Sequence, residues 1–292
     1  VSYVAVEVMQ SGSADKLSTR MFGFFAINAV LISFTYVLVF VLEKIFGFVS
    51  SVTLVELSDV NNPVLRELSE ECPGTFQHSM QVSNLASDAA HRIGANVQLV
   101  RTGALYHDIG KINNPAFFTE NQHGVNPHDA LSPVQSARIV INHVYDGLKR
   151  AEKMKLPAVI TDFIRQHHGS GRAKYFYNTY CNAHPDEDVD PAPFTYPGPN
   201  PQTKETSILM MADAVEAASR SLKEHTVPAI TELVNRIIDG QIRDGLHDES
   251  PISFRDVNVI KNAFIERLRT MYHARVSYPD LKKDEPADKT EA

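Results

Sequence analysis

Cysteine is nearly absent from this sequence. Cys72 and Cys181 are the only two among 292 residues, far apart and in no CxxC pair. That excludes a disulfide framework or a zinc knuckle and points to a reducing compartment. Positive charge is also in deficit, with 28 Lys and Arg against 35 Asp and Glu, a formal net charge of −7 and a pI near 5.9. A domain that grips long nucleic acid by neutralising phosphates is basic, so no DNA or RNA polymer is expected as partner. A small anion held by local charges or metals stays compatible. Strand ladders and internal repeats are missing too, which turns the reading towards an all-α fold. The first residue is Val, and no charged segment with a cleavage site follows, so no secretory signal is expected and the chain reads as a piece of something longer.

What is present is apolar material, 43% of the residues against 22% charged. That is enough for one core of about two hundred residues plus extras. From Met21 to Leu42 there is no charge at all. At a rise of about 1.5 Å per residue such a run crosses a hydrocarbon core of about 30 Å. A buried helix of that length rarely stays apolar on every face. Lys16 and Arg20 flank one end and Lys44 the other, so the count of flanking cations does not orient it. The expected organisation is a membrane-proximal loop or end of a preceding span over 1–20, a transmembrane helix and connector over 21–55, a helical domain over 56–280, and a charged, disordered tail over 281–292.

Within 56–280 the spacing predicts helices almost throughout. Thr75 opens a run with His78, Val82, Leu85, Ala89 and Ile93 on one face, closed by Gly94, and Val97 to Ile109 forms a second helix closed by Gly110. Ser132-Pro133 gives an N-cap with proline at the first position. Pro157 opens a helix ending at His167-His168-Gly169. Thr206 to Leu222, Pro228 to Asp239 and Asp256 to Tyr272 resume helical spacing. Glu56 to Glu71, with Asn61-Asn62-Pro63, reads as a link, and Asn182 to Pro201 as a mobile surface loop.

The histidines carry the chemistry. His78, His107, His143 and His167 each fall on a separate predicted helix, most on or beside its apolar side. One histidine in such a place is usually a satisfied core residue. Four together, with Asp108 beside His107 and Asp213 on a further helix, are poorly explained that way. Burying both aspartates would cost several kcal/mol per charge unless each met a cation. Imidazoles with a few carboxylates suit Fe, Mn, Co or Zn. More than four candidates imply two ions, and two metals about 3.5–4 Å apart can share a carboxylate, activate a water between them and clamp a phosphodiester. Near the paired histidines, Tyr175-Phe176-Tyr177 and Tyr180 form a cluster able to stack on a base, with Arg172 the nearby guanidinium.

His107-Asp108-Ile109-Gly110-Lys111 resembles the signature of the HD phosphohydrolase superfamily. The order His78, His107-Asp108, His143, His167-His168, Asp213 resembles its expanded two-metal branch. Further segments carry a closer likeness to the seven-transmembrane HD family of the PgpH type: Pro73 to Ser79, Phe117 to Gln122, Asn126 to Asp129, Tyr175 to Tyr177, Tyr196 to Gln202 and Met211 to Ala217. One departure is Gln77, where many members carry histidine. The resemblance implies a cytoplasmic, all-α HD-domain bundle after the last transmembrane helix, at the bacterial inner membrane, hydrolysing cyclic di-AMP to linear pApA with a hydroxide activated by two divalent transition metals, Mn or Fe. It implies that His78, His107, Asp108 and Asp213 hold one metal and Asp108, His143 and His167 the other. His168 is then a further ligand or a proton donor, and Lys111 contacts a phosphate oxygen. The expected site is therefore Asp108, Lys111 and His168 for catalysis, the six metal ligands, and Lys111, Arg172, Tyr175 and Tyr177 for substrate, with a homodimer left open. A cyclic di-GMP phosphodiesterase and a nucleotide-sensing membrane module are the competing readings.

Overall fold

The computed structural model describes residues 18–122 and 124–273, together with 4, 6, 8 and 9. Most of 1–20 and the whole expected tail 281–292 lie outside the described residues. The chain divides into two compact units, Val1–Thr53 and Leu54–Ala292.

In the first unit, α1 (Thr19–Phe46) has 28 residues and none is buried. Apolar residues surround its whole circumference, so no face is set apart for packing on a protein core. Gly47 ends it in the left-handed region at φ 69°, its N–H donating to the Glu43 carbonyl. Among the described residues α1 is the one helix long and apolar enough to cross a membrane.

The second unit is built of helices, and its one β-bridge among the described residues pairs Arg172 with Thr195. After α2 (Ser51–Leu57) come α3 (Pro63–Glu71), α4 (Pro73–Arg92) and α5 (Val97–Tyr106). Then follow α6 (Pro133–Lys153), α7 (Ala158–Gln166) and α8 (Lys174–Ala183). The last three are α9 (Lys204–Ser219), α10 (Val227–Arg243) and α11 (Phe254–His273). The all-α expectation is met. The main core joins Val82, Leu85 and Ala89 of α4 to Ile208, Leu209 and Val215 of α9, Ile230 and Val234 of α10, and Ile260 and Phe264 of α11. Burying each large side chain contributes about 1.5–3 kcal/mol.

Three differences from the sequence reading bear on function. The segment read as a link contains α3, capped by the Asn62 side chain with Pro63 in its first turn, and Leu65 and Leu68 are fully buried. Asn-Pro there is a helix start rather than a linker.

The second difference is in the helix expected to reach Ile109, which stops at Tyr106 and gives way to a 3-10 turn over Ile109–Asn113. Neighbouring residues of an α-helix diverge by about 100°, so an unbroken helix would send His107 and Asp108 to different faces. The break turns both into one site.

The third concerns Asn182 to Pro201, which is not a mobile surface loop throughout. Its Phe194 and Tyr196 are 1% and 8% exposed and pack on Ala137, Ile141 and Val144 of α6.

Candidate metal centre

Six side chains from five elements converge. His78 comes from α4, His107 and Asp108 from the turn after α5, His143 from α6, His167 from the end of α7 and Asp213 from α9. All six are buried. Their ligand atoms fall into two groups. Those of His78, His107, Asp108 and Asp213 lie within 4.8 Å of one another, as do those of His143, His167 and His168.

Asp108 faces both groups with different oxygens. Its Oδ2 is 3.1 Å from His107 Nε2 and 3.7 Å from His78 Nε2, while Oδ1 is 3.3 Å from His143 Nε2 and 3.6 Å from His167 Nε2. On the first group's far side, Asp213 Oδ1 lies 2.8 Å from His78 Nε2 and 3.7 Å from His107 Nε2.

The histidines are all held the same way round. Nδ1 of His107, His143 and His167 lies 2.7, 2.5 and 2.8 Å from the carbonyl of the residue three positions earlier, Ala104, Val140 and Ile164. His78 Nδ1 instead meets Glu216 Oε2 at 2.5 Å. A carbonyl or a carboxylate accepts, so Nδ1 carries a proton and Nε2 is the nitrogen turned inward, its lone pair available to a metal in the neutral imidazole. This is the orientation in which proteins present imidazole to a metal.

Left to itself the cluster is unfavourable. His107 Nε2 and both Asp108 oxygens are buried without a well-formed hydrogen bond, although Lys111 Nζ sits 2.8 Å from Asp108 Oδ2. His143 and His167 point Nε2 at Nε2 across 3.0 Å. With both Nδ1 atoms protonated that contact sets lone pair against lone pair, and only a cation turns it attractive. The donor set of imidazoles and carboxylates therefore fits two divalent transition metals.

The surrounding charges are fixed by the same cluster. Burial would lift Asp108, but His107 and Lys111 hold its carboxyl well below the usual carboxylate range. Burial would likewise lower His107, and Asp108 overrides it, raising the imidazole to about 10 in the metal-free protein. At the cleft mouth, with its side chain 27% exposed, His168 is pushed down to about 3 by burial against the pull of Asp213.

Lys111 is no solvated lysine past a helix end. Its ammonium lies 2.8 Å from both Asp108 Oδ2 and Glu120 Oε1 and 4.9 Å from the centre of the Phe118 ring. Glu120 also accepts from Thr75 Oγ1 at 3.0 Å. Above this floor opens a cleft of about 450 Å³, lined by His78, Lys111, Phe118, Glu120, His168 and Tyr196 among others. The Tyr196 ring stands 4.1 Å from that of His168.

The other expected substrate residues stand elsewhere. Arg172 sits over the Tyr177 ring at 5.2 Å, and the two line a separate cavity with Lys174 and Asp244. Tyr175 is 77% exposed. None of the three lines the cleft over the metal ligands. The cleft's aromatic walls are Phe118 and Tyr196, which sequence reasoning placed in motifs without giving them a role. Aromatic residues inside those motifs were the available signal, since composition alone favoured the denser cluster at 175–180.

Comparison with known proteins agrees with this arrangement. Residues 75–218 match the HD domain family. The chain is 44% identical over 241 residues to the cyclic-di-AMP phosphodiesterase PgpH of Listeria monocytogenes, covering 82% of this chain and 33% of that protein. It is 40% identical over 242 residues to the cyclic-di-AMP phosphodiesterase PgpH of Bacillus subtilis, covering 82% and 34%. The chain thus spans about a third of the length of these curated relatives. The crystal structure of the L. monocytogenes PgpH HD domain in complex with cyclic-di-AMP is similar at TM-score 0.71 and 43% identity, covering 74% of this chain and 100% of that one.

Proposed function

The chain belongs to the HD-domain family, in its PgpH-type branch, and from that premise we propose that it is a metal-dependent phosphodiesterase opening cyclic di-AMP to linear pApA. The observation that carries the reading is the shared orientation of the four buried imidazoles around the two oxygens of Asp108. His78, His107, Asp213 and Asp108 Oδ2 would hold one ion; His143, His167 and Asp108 Oδ1, with His168 in reach, would hold the other. When bound, such ions supply positive charge for a phosphodiester oxygen and lower the pKa of a water molecule.

The chain's own residues do the rest. An ammonium has three N–H donors, and Lys111 donates one to Glu120 while its charge pairs with Asp108 at 2.8 Å. A further N–H can meet a phosphate oxygen, and the flanking carboxylates keep the ammonium protonated and fixed. Phe118 and Tyr196 give the cleft apolar walls that exclude water and accept a ribose or base. The proton stays on the Tyr196 hydroxyl, because burial raises its pKa.

Selectivity follows from what the cleft lacks. Guanine would need an acceptor for its second amino group and a donor for its carbonyl. Arg220 is the guanidinium among the lining residues, and its Nε and Nη2 both donate to Glu216 Oε1, at 2.9 and 2.7 Å. Glu120 is tied through Oε1 to Lys111 and Thr75, which hold it at the floor of the cleft. A guanine polar group stripped of water without a partner costs about 1–3 kcal/mol. Cyclic di-AMP is therefore expected to be cut with a kcat/KM at least about tenfold above that for cyclic di-GMP, the factor that about 1.4 kcal/mol supplies. Assays of the purified chain with both nucleotides, with and without chelator, check this. Equal or reversed values would overturn the substrate, and turnover surviving full metal removal would overturn the mechanism.

The same reading has residues 21–42 within α1 spanning the inner membrane and the HD domain, over 56–280, on the cytoplasmic side. Its support is the length and uniform apolar surface of α1. The intact chain is expected to sediment with membranes and to need detergent for release. Recovery in the aqueous fraction would refute it.

A further inference from the structure

A second cavity, of about 720 Å³, adjoins the cleft and contains none of the metal ligands. Arg220 lines both spaces, and the Glu216 carboxylate that Arg220 engages also faces the second one. The volume is in the range of about 300–1,000 Å³ typical of small-molecule sites. One wall is a built aromatic platform. The rings of His225 and Tyr272 stack at 3.6 Å between centres and 26° between planes. Both are anchored to Ser219, Tyr272 through its hydroxyl to Oγ at 3.0 Å and His225 through Nε2 to the carbonyl at 3.2 Å. Another part of the lining comes from α4, where Gln77 and Gln81 stand one turn apart beside Met80. Among the described residues neither glutamine amide has a hydrogen-bond partner.

The chemistry of these walls is that of a purine site. A stacked ring pair offers a flat face to any base. A free carboxamide presents a donor and an acceptor side by side, the pattern that pairs with N6 and N7 of adenine. A purely apolar occupant would leave the half-buried Gln81 amide facing it unpaired, and a polyanion would find one arginine, already engaged by Glu216. A cyclic dinucleotide has two nucleosides joined by two diesters. With one diester over Asp108, an extended conformer of the ring sends its two adenosines in different directions, one against Phe118 and Tyr196 and the other past Arg220.

We propose that the cavity beyond Arg220 is a second base subsite, where His225 and Tyr272 stack the distal adenine and Gln77 and Gln81 read its edge. This rests on the phosphodiesterase reading. Gln81 and Gln77 would then be specificity-determining positions, and Arg220 the residue under which the substrate crosses from one space to the other.

The test uses the full chain in detergent, with Gln81→Leu, Gln77→Leu and Tyr272→Leu. Two quantities are measured. One is the affinity of the metal-stripped protein for cyclic di-AMP by calorimetry. The other is the ratio of kcat/KM for cyclic di-AMP to that for bis(p-nitrophenyl) phosphate, a diester too short to reach both spaces. Each variant is expected to weaken binding about tenfold and to lower the ratio by a similar factor, the size of a good base contact. Gln81→Leu and Gln77→Leu change partly exposed positions, so loss of fold does not explain a loss of affinity there. Affinity and ratio within twofold of wild type in all three variants would overturn the subsite, as would wild-type protein binding an analogue that lacks one adenine as tightly as cyclic di-AMP. If the unmodified chain fails to hydrolyse cyclic di-AMP, the phosphodiesterase reading fails instead, and the metal-free affinity still reports on the subsite.

Discussion

Asp108→Ala is expected to lower kcat/KM on cyclic di-AMP by at least about a thousandfold and to deplete bound metal at both positions. The reason is that one carboxylate serves two groups of imidazoles, Oδ2 towards His107 and His78 and Oδ1 towards His143 and His167. Asp213 is the weaker bridge, since it meets His78 and His107 with Oδ1 but touches the other group only at His168, 3.9 Å from Oδ2. A thousandfold loss corresponds to about 4 kcal/mol of transition-state stabilisation, within the several kcal/mol that a metal's charge supplies. Alanine also strips one of two carboxylates from the buried Lys111 ammonium, so part of the loss could come through stability. Asp108→Asn separates the two effects. It keeps the shape and volume, yet whichever group its amide faces then meets N–H donors in place of an oxygen. That variant should keep the helical content of wild type while losing metal, measured by elemental analysis, and activity. His91→Ala, at an exposed position on the same helix as His78, should behave as wild type. Normal metal content and turnover in Asp108→Asn would refute the shared-carboxylate arrangement.

Much of this site was legible because metal chemistry imposes residue types that few other causes place on apolar faces. His78, His107, His143, His167 and Asp213 could be picked out as a set before any coordinate, since a buried imidazole or carboxylate has few physical reasons to exist. The helices that carry them were legible for the same cause, with a period of 3.6 and caps such as Ser132-Pro133, which the structure shows as a full capping box with Gln135. What stayed hidden depends on approach between distant segments. Tyr196 enters the cleft from irregular backbone and Glu120 from a three-residue 3-10 turn, Thr119–Asn121, both too short of repeat for periodicity to tell inside from outside. Arg172 and Tyr177 sit near the paired histidines in sequence, but the chain turns at Gly169, φ 52°, and carries them to another cavity. The orientation of the imidazoles was equally beyond sequence, because it depends on each ring meeting a carbonyl one turn back.

Gly110 shows the same limit at a single residue and yields the second large effect. In sequence it reads as a helix stop, yet its φ is not among the positive values, so freedom of backbone is not why glycine stands there. The reason is contact. A Cβ on Gly110 would run into the backbone carbonyl of His143 and lie 2.5 Å from the amide nitrogen of Gly147. Backbone cannot swing aside as a flexible side chain can, so the turn carrying Asp108 would have to withdraw from α6. Gly110→Ala is therefore expected to destabilise the chain by roughly 3 kcal/mol, at the upper end of overpacking costs. For a domain of this size that lowers Tm by roughly 6–12 °C. It is also expected to lower metal affinity, because Asp108 Oδ1 and His143 Nε2, now 3.3 Å apart, would separate. The matched control is Gly240→Ala on α10, where an added Cβ meets nothing within 4 Å. There alanine should raise stability by about 0.5–1 kcal/mol through helix propensity. The same chemical change is thus expected to act with opposite signs at two glycines. Thermal melts of the two variants beside wild type decide it, and a Gly110→Ala protein that melts within about 2 °C of wild type would show that close backbone approach does not fix Asp108 against α6.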